Sequence, residues 1–156
     1  MTAAPRDAAT RKADTLAKLR APAADVWVAS AGTGDAGDPA PWLVPLSLAW
    51  LDERVVLALE TASRTARNVV ASGTARLALG HTRDVTVIDA VLDAAVPVPT
   101  APAALAGGYA AQSDWDPREA GDGYTFLVLR PERVQAWRES NELAGRTLMR
   151  DGAWLV

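Results

Sequence analysis

A chain of 156 residues is long enough to bury a core of its own and short enough to form one domain, 1–156. Its formal net charge of -3 and pI of about 5.1 exclude a general attraction to nucleic acid or anionic lipid, so any anion site must be built locally. The lack of cysteine excludes disulfides, thiolate metal centres and cysteine nucleophiles; the lack of a secretory-type leader and of any apolar run of ~20 residues predicts a cytoplasmic protein without a membrane partner.

Residues 7–20 place Ala9, Ala13, Leu16 and Leu19 at helical spacing among Arg11, Lys12, Asp14 and Lys18, which predicts an amphipathic helix in an N-terminal arm of residues 1–22. Short β-type runs follow: "DVWVAS" (25–30), "WLVPLSLAW" (42–50) and "RVVLALE" (54–60). The loop "AGTGDAGDPAP" precedes the second run and the hairpin turn "LDE" the third. "ETASRTARN" (60–68) then opens a helix predicted over 63–72, with Thr61 or Ser63 as cap and Gly73 as stop. Two more strands are expected at 74–80 and 84–98, and a helix at 100–113 weakened by Gly107 and Gly108. After the polar loop "DWDPREAGDG" comes the long strand "YTFLVLRPERVQAWRE", where Pro131 suggests a bulge or edge, and then a tail with room for one short helix. Six strands joined mostly by hairpins make an antiparallel sheet too large to stay flat. The predicted class is mainly β (α+β), a β-barrel with peripheral helices.

The second strand has two unlike faces. Trp42, Val44, Leu46, Leu48 and Trp50 form an apolar face expected in the barrel core, whereas Leu43, Pro45, Ser47 and Ala49 form a smaller, partly polar one. Pro45 donates no ladder hydrogen bond, as at an edge strand or where something other than a strand lies against the backbone. Glu60 ends the third strand, where it either orients an arginine or ligand or is simply solvated.

The start of the next helix carries Arg64 and Arg67 where the dipole is positive, a placement that disfavours each cation by about 0.3 to 1 kcal/mol. A phosphate on the free amides there would reverse the sign, with Ser63 and Thr65 adding hydroxyl donors and the arginines forked hydrogen bonds. The same spacing also fits two solvated arginines lying over the sheet.

The order "WLVPLSLAW", hairpin, "RVVLALETASRTARN", "GTARLALG", "RDVTVIDAVL" resembles the pyridoxamine 5'-phosphate oxidase-like, flavin-binding split β-barrel proteins, closely over residues 10–98 and loosely beyond. Members follow a hydrophobic strand with Ser-Arg-Lys or similar and then a helix containing an Asn. The resemblance implies an antiparallel split β-barrel working as a homodimer. FMN, or a deazaflavin coenzyme of the F420 type, would lie in a groove at the subunit interface. It puts Ser63, Arg64 and Thr65 at the Ser-Arg-Lys positions with Arg67 and Asn68 following, Pro45, Leu46 and Ser47 beside the ring, Glu60 and Thr61 near the phosphate, and Asp84 where the other subunit often presents a polar contact. Thr65 departs from the usual lysine. The tail also lacks the histidine of the vitamin B6 oxidases, so that activity is not expected.

Trp27, Trp42 and Trp50 fit core positions, while Trp115 and Trp137 are the tryptophans placed to meet a ligand. A single histidine, His81, excludes a histidine-based metal cluster, and no metal site is expected. The expected function is that of an FMN-dependent oxidoreductase passing hydride between flavin and a small organic substrate, with no catalytic side chain identifiable because the cofactor carries the chemistry. The alternatives are a deazaflavin-dependent reductase, or a non-catalytic flavin- or haem-binding sensor or carrier with His81 as the one candidate axial ligand.

Overall fold

The structure, a computed structural model, describes residues 3–156. Its elements in chain order are α1 (Ala8–Arg20), β1 (Asp25–Thr33), β2 (Pro39–Leu51), β3 (Arg54–Glu60), α2 (Arg64–Ser72), β4 (Thr74–His81), β5 (Asp84–Pro97), α3 (Ala103–Gln112), β6 (Tyr124–Trp137), β7 (Thr147–Arg150) and β8 (Ala153–Trp154). The sheet runs β3-β2-β1-β4-β5-β6-β7-β8, and β3 also pairs with β6, which closes the first six strands into an antiparallel barrel. The short β7–β8 hairpin continues the sheet past β6 and ends it at an edge.

Local chemistry explains the boundaries. Asp7 accepts the Thr10 N–H at 2.7 Å and caps α1. The β2–β3 turn holds Asp52 and Glu53 at φ of 48° and 59°, the twist a two-residue hairpin requires. Pro131 sits at a register shift, where Asp89 faces Arg133 but Ala90 faces Pro131, so Glu132 is the extra residue of a bulge.

The barrel interior is aliphatic, with Val28, Leu48, Leu57, Leu77, Ile88 and Leu129 wholly buried. A second cluster lies on the outer face of β2, β3 and β6, where α3 covers Ala49, Val56, Ala58 and Phe126 with Ala106 and Tyr109. No helix of the described residues is long and apolar enough to cross a membrane.

Three expectations change. Trp27 is not core: its side chain stands on the outer face opposite Pro45, 51% exposed. Trp42 shares its face with Leu48 but lies beyond the reach of β3 and is 38% exposed. The tail holds only a 3₁₀ turn at Ser140–Glu142 and then the β7–β8 hairpin, because Asp151 and Gly152 adopt positive φ and reverse the chain.

Candidate functional site

The entry to α2 is rigid. Ser63 donates its N–H to the Glu60 carbonyl at 3.0 Å and accepts the Ala66 N–H on its hydroxyl at 3.2 Å, while Gly73 at φ 72° ends the helix. The cap leaves the Arg64 and Thr65 N–H groups without an acceptor among the described residues. Thr65 is 3% exposed, and its hydroxyl likewise makes no hydrogen bond to a described residue. The Arg64 guanidinium stacks on the Trp42 ring, 4.6 Å from its centroid, and Arg67 donates to the Ala62 carbonyl. Neither arginine has a carboxylate partner among the described residues.

In front of that helix start the barrel is split. The β2–β3 ladder runs only from Leu51↔Arg54 to Leu48↔Leu57; before Leu48, β2 pairs with β1 alone, and after Leu57, β3 pairs with β6 alone. The Leu48 N–H bonds the Ala24 carbonyl at 2.9 Å, on the β1 side, so by strand alternation Ser47, Pro45 and Leu43 turn their backbone groups to the gap. A proline at one of these positions removes an N–H that the split would have left unpaired.

The gap widens into a groove of about 540 Å³. Trp42, Val44 and Leu46 of β2 line one side and Ala58, Leu59 and Glu60 of β3 the other; Ser63, Arg64 and Thr65 close one end, and Trp115 and Tyr124 form an aromatic wall. Trp115 meets Tyr124 edge-on at 5.6 Å and Tyr109 at 6.2 Å, which fixes its ring. Arg64 also borders a polar recess of about 320 Å³ shared with Arg67, Asp35 and Thr33. One cation therefore reaches two adjoining spaces.

Of the residues singled out in the sequence, the fold brings Leu46, Glu60, Ser63, Arg64 and Thr65 together in the groove and Arg67 into the recess. Thr61 is exposed and does not line the groove; it donates its N–H to the Gly123 carbonyl at 2.8 Å. Asn68 points away, donating its amide to Ser30 Oγ at 3.2 Å and tying α2 to β1. Pro45 and Ser47 place their side chains on the outer face, where the Ser47 hydroxyl meets Asp25 at 3.2 Å.

Asp84 is engaged by Lys18 at 2.7 Å and Arg138 at 3.0 Å. Burial alone would raise its pKa, but the hydrogen bonds from those two cations hold it below the ordinary value. Trp137 carries Arg146 on its face at 5.4 Å and does not line the groove. His81 is exposed at the end of β4, opposite Asp84 in the ladder, and does not line the groove either.

The sequence reading passed over Tyr124 and assigned Trp42 to the core. Tyr124 carried a usable signal: it is the aromatic residue that opens the long strand β6, and in the fold it pairs with Glu60 at the end of β3.

No family model matches the sequence, and neither does any curated protein. Solved structures do match. An F420 reductase superposes with a TM-score of 0.59 at 18% identity, over 76% of this chain and 93% of its own. A haem-binding protein from Mycobacterium smegmatis gives 0.62 at 18% identity, over 94% of this chain and 59% of its own. A Listeria innocua protein named for pyridoxamine 5'-phosphate oxidase gives 0.59 at 13% identity, over 82% of this chain and 98% of its own. At these identities the likeness is one of fold. The chain is an antiparallel split β-barrel, the architecture that the resemblance in the sequence implied.

Proposed function

We propose that the groove binds a phosphate-bearing flavin, FMN in the first instance, and that the protein is an oxidoreductase acting on a small organic substrate. One observation carries this reading: a gap edged by unpaired strand backbone runs into a helix start that offers two N–H groups, the Thr65 hydroxyl and an arginine, none with an acceptor or carboxylate partner among the described residues.

The residues fit such a group. The size lies within the ~300 to 1,000 Å³ of small-molecule sites, the side walls are apolar, and the polar donors converge at one end, as a ring-plus-phosphate ligand requires. Arg64 would take phosphate oxygens with its guanidinium already oriented by Trp42, while the Arg64 and Thr65 amides add donors at the positive end of the helix. Val44, Leu46 and Leu59 would exclude water from one ring face, and Trp115 and Tyr124 would border the other side. When bound, a flavin supplies the hydride chemistry; the chain supplies position, exclusion of water and charge.

A deazaflavin coenzyme is the second reading, favoured by the polar recess beyond Arg64, which gives room and a second arginine for an anionic extension. Haem finds less support, because no histidine lines the groove. A homodimer belongs to the proposal: Trp27 at 51% and Leu43 at 58% exposure lie with Pro45 on one outer face of β1 and β2, a surface that a second copy would cover.

Titration of the purified protein with FMN, riboflavin, a deazaflavin and haem, followed by absorbance and calorimetry, tests the assignment. FMN should bind more tightly than riboflavin; a protein that binds none of the four overturns it. Sedimentation of the loaded protein tests the dimer, which a monomer retaining its cofactor would contradict.

A further inference from the structure

We propose that Tyr109 is a positioning residue that holds the β2–β3 split open, its phenol standing where the next rung of the ladder would form. Alternation along β2 makes Ala49 and Leu51 the residues whose backbone groups face β3, opposite Val56 and Arg54. The next such pair would be Ser47 with Ala58, and it is missing. The Ser47 carbonyl accepts instead from the Tyr109 hydroxyl at 3.3 Å.

Several contacts keep the ring there. Tyr109 is fully buried, packed edge-on against Phe126 at 5.4 Å and Trp115 at 6.2 Å. Gly108, the residue before it, lets α3 settle onto β2, since a side chain there would crowd Leu51 at 3.1 Å. Three residues after Tyr109, Gln112 accepts the Trp50 N–H at 2.8 Å, so α3 satisfies β2 backbone on both edges. Burial, opposed by the Trp115 indole and the Ala58 amide, pushes the phenol up to about 12, so the hydroxyl keeps its proton and remains a donor.

The wedge has a direct consequence. Without it Ser47 and Ala58 can pair with each other, extending the ladder by one rung toward Val44 and Leu46 and narrowing the groove that the proposed cofactor would enter. The wedge itself stands apart from that assignment, and the experiment separates the two.

Amide exchange at Ser47 in the ligand-free full chain, read by NMR, is compared among the parent, Tyr109→Phe and Tyr109→Leu, with thermal melting to confirm folding. In the parent the Ser47 N–H faces the split and exchanges quickly. In Tyr109→Leu it should slow by about tenfold or more as the new rung forms, and in Tyr109→Phe by less, because the ring remains. A residue that only filled the core would give the opposite sign. FMN affinity should fall in the same order. Exchange that is unchanged or faster in both variants overturns the wedge. Slower exchange without any change in FMN binding supports the wedge and removes FMN from the groove.

Discussion

Two clusters of charge in this molecule are built on opposite rules. Where the N-terminal arm meets the 3₁₀ turn at Ser140–Glu142, Arg6 bonds Glu142 and Asp14, each at 2.7 Å, while Lys18 and Arg138 share Asp84. Glu142 is 3% exposed, and its hydrogen bonds from Arg6 draw its pKa down to about 2. At the start of α2, by contrast, Arg64 has an aromatic face and Arg67 a carbonyl, and neither meets a carboxylate among the described residues. The difference teaches how to sort arginines in an acidic protein. Those that hold the fold are neutralised within it, and those left unanswered beside free amides are where we propose that an anion binds.

Breaking the first cluster should have the largest effect. Glu142→Gln leaves the Arg6 guanidinium without the more buried of its two carboxylates at 2.7 Å and should cost roughly 3 kcal/mol, lowering Tm by about 6 to 12 °C with no change in FMN affinity. Its pH dependence has a definite sign. A carboxyl with an ordinary pKa of 4.5 that folds with one of about 2 contributes stability in full above 4.5 and loses it as pH falls toward 2. Acid melts of the parent should therefore steepen across that window, and melts of Glu142→Gln should not.

Breaking the second cluster should do the reverse. Arg64→Ala should weaken FMN binding about tenfold or more in calorimetry, leave riboflavin binding nearly as it was and hardly move Tm. Equal loss for both ligands would place Arg64 against the ring and not the phosphate. Ser63→Ala removes the helix cap and should cost about 1 kcal/mol in chemical denaturation, with a matching fall in FMN affinity as the α2 amides fray. The smallest effect is expected from Arg67→Ala. It should change FMN affinity by less than about threefold yet weaken a deazaflavin carrying an anionic tail more, since Arg67 borders only the recess. A greater loss for FMN would reverse that assignment of the two spaces.

Much of this was legible in the sequence. β3 was expected at 54–60 and is found there, and α2 obeys the Ser63 and Gly73 signals because both caps are local chemistry. Arg64 and Arg67 were singled out by the mismatch between cation and dipole, again a local matter, and the fold puts Arg64 in the groove and Arg67 in the recess. Trp27 and Trp42 misled because alternation assigns a face of a strand but not how far along it the neighbouring strand reaches, and β2 outruns its ladder with β3. The β7–β8 hairpin was missed because Asp151–Gly152 lies in a tail of mixed spacing, where strand pairing depends on a distant edge of β6. Tyr109 was invisible for a like reason: an apolar helix with two glycines shows no sign of which strand its tyrosine will reach.

The hairpin turn at Asp52 and Glu53 has a bearing on the groove that its position, away from it, conceals. Because side chains alternate strictly along a strand, the turn counts the residues that separate it from the split and decides which set faces inward. One residue inserted between Leu51 and Arg54 would set the two ladders of β2 against each other: its nine pairs with β1 hold Val44 and Leu46 inward, so β3 would meet it one step out of phase. The turn is in effect the ruler from which the site is measured, and a change in its length would displace one wall of the groove without altering any residue that lines it.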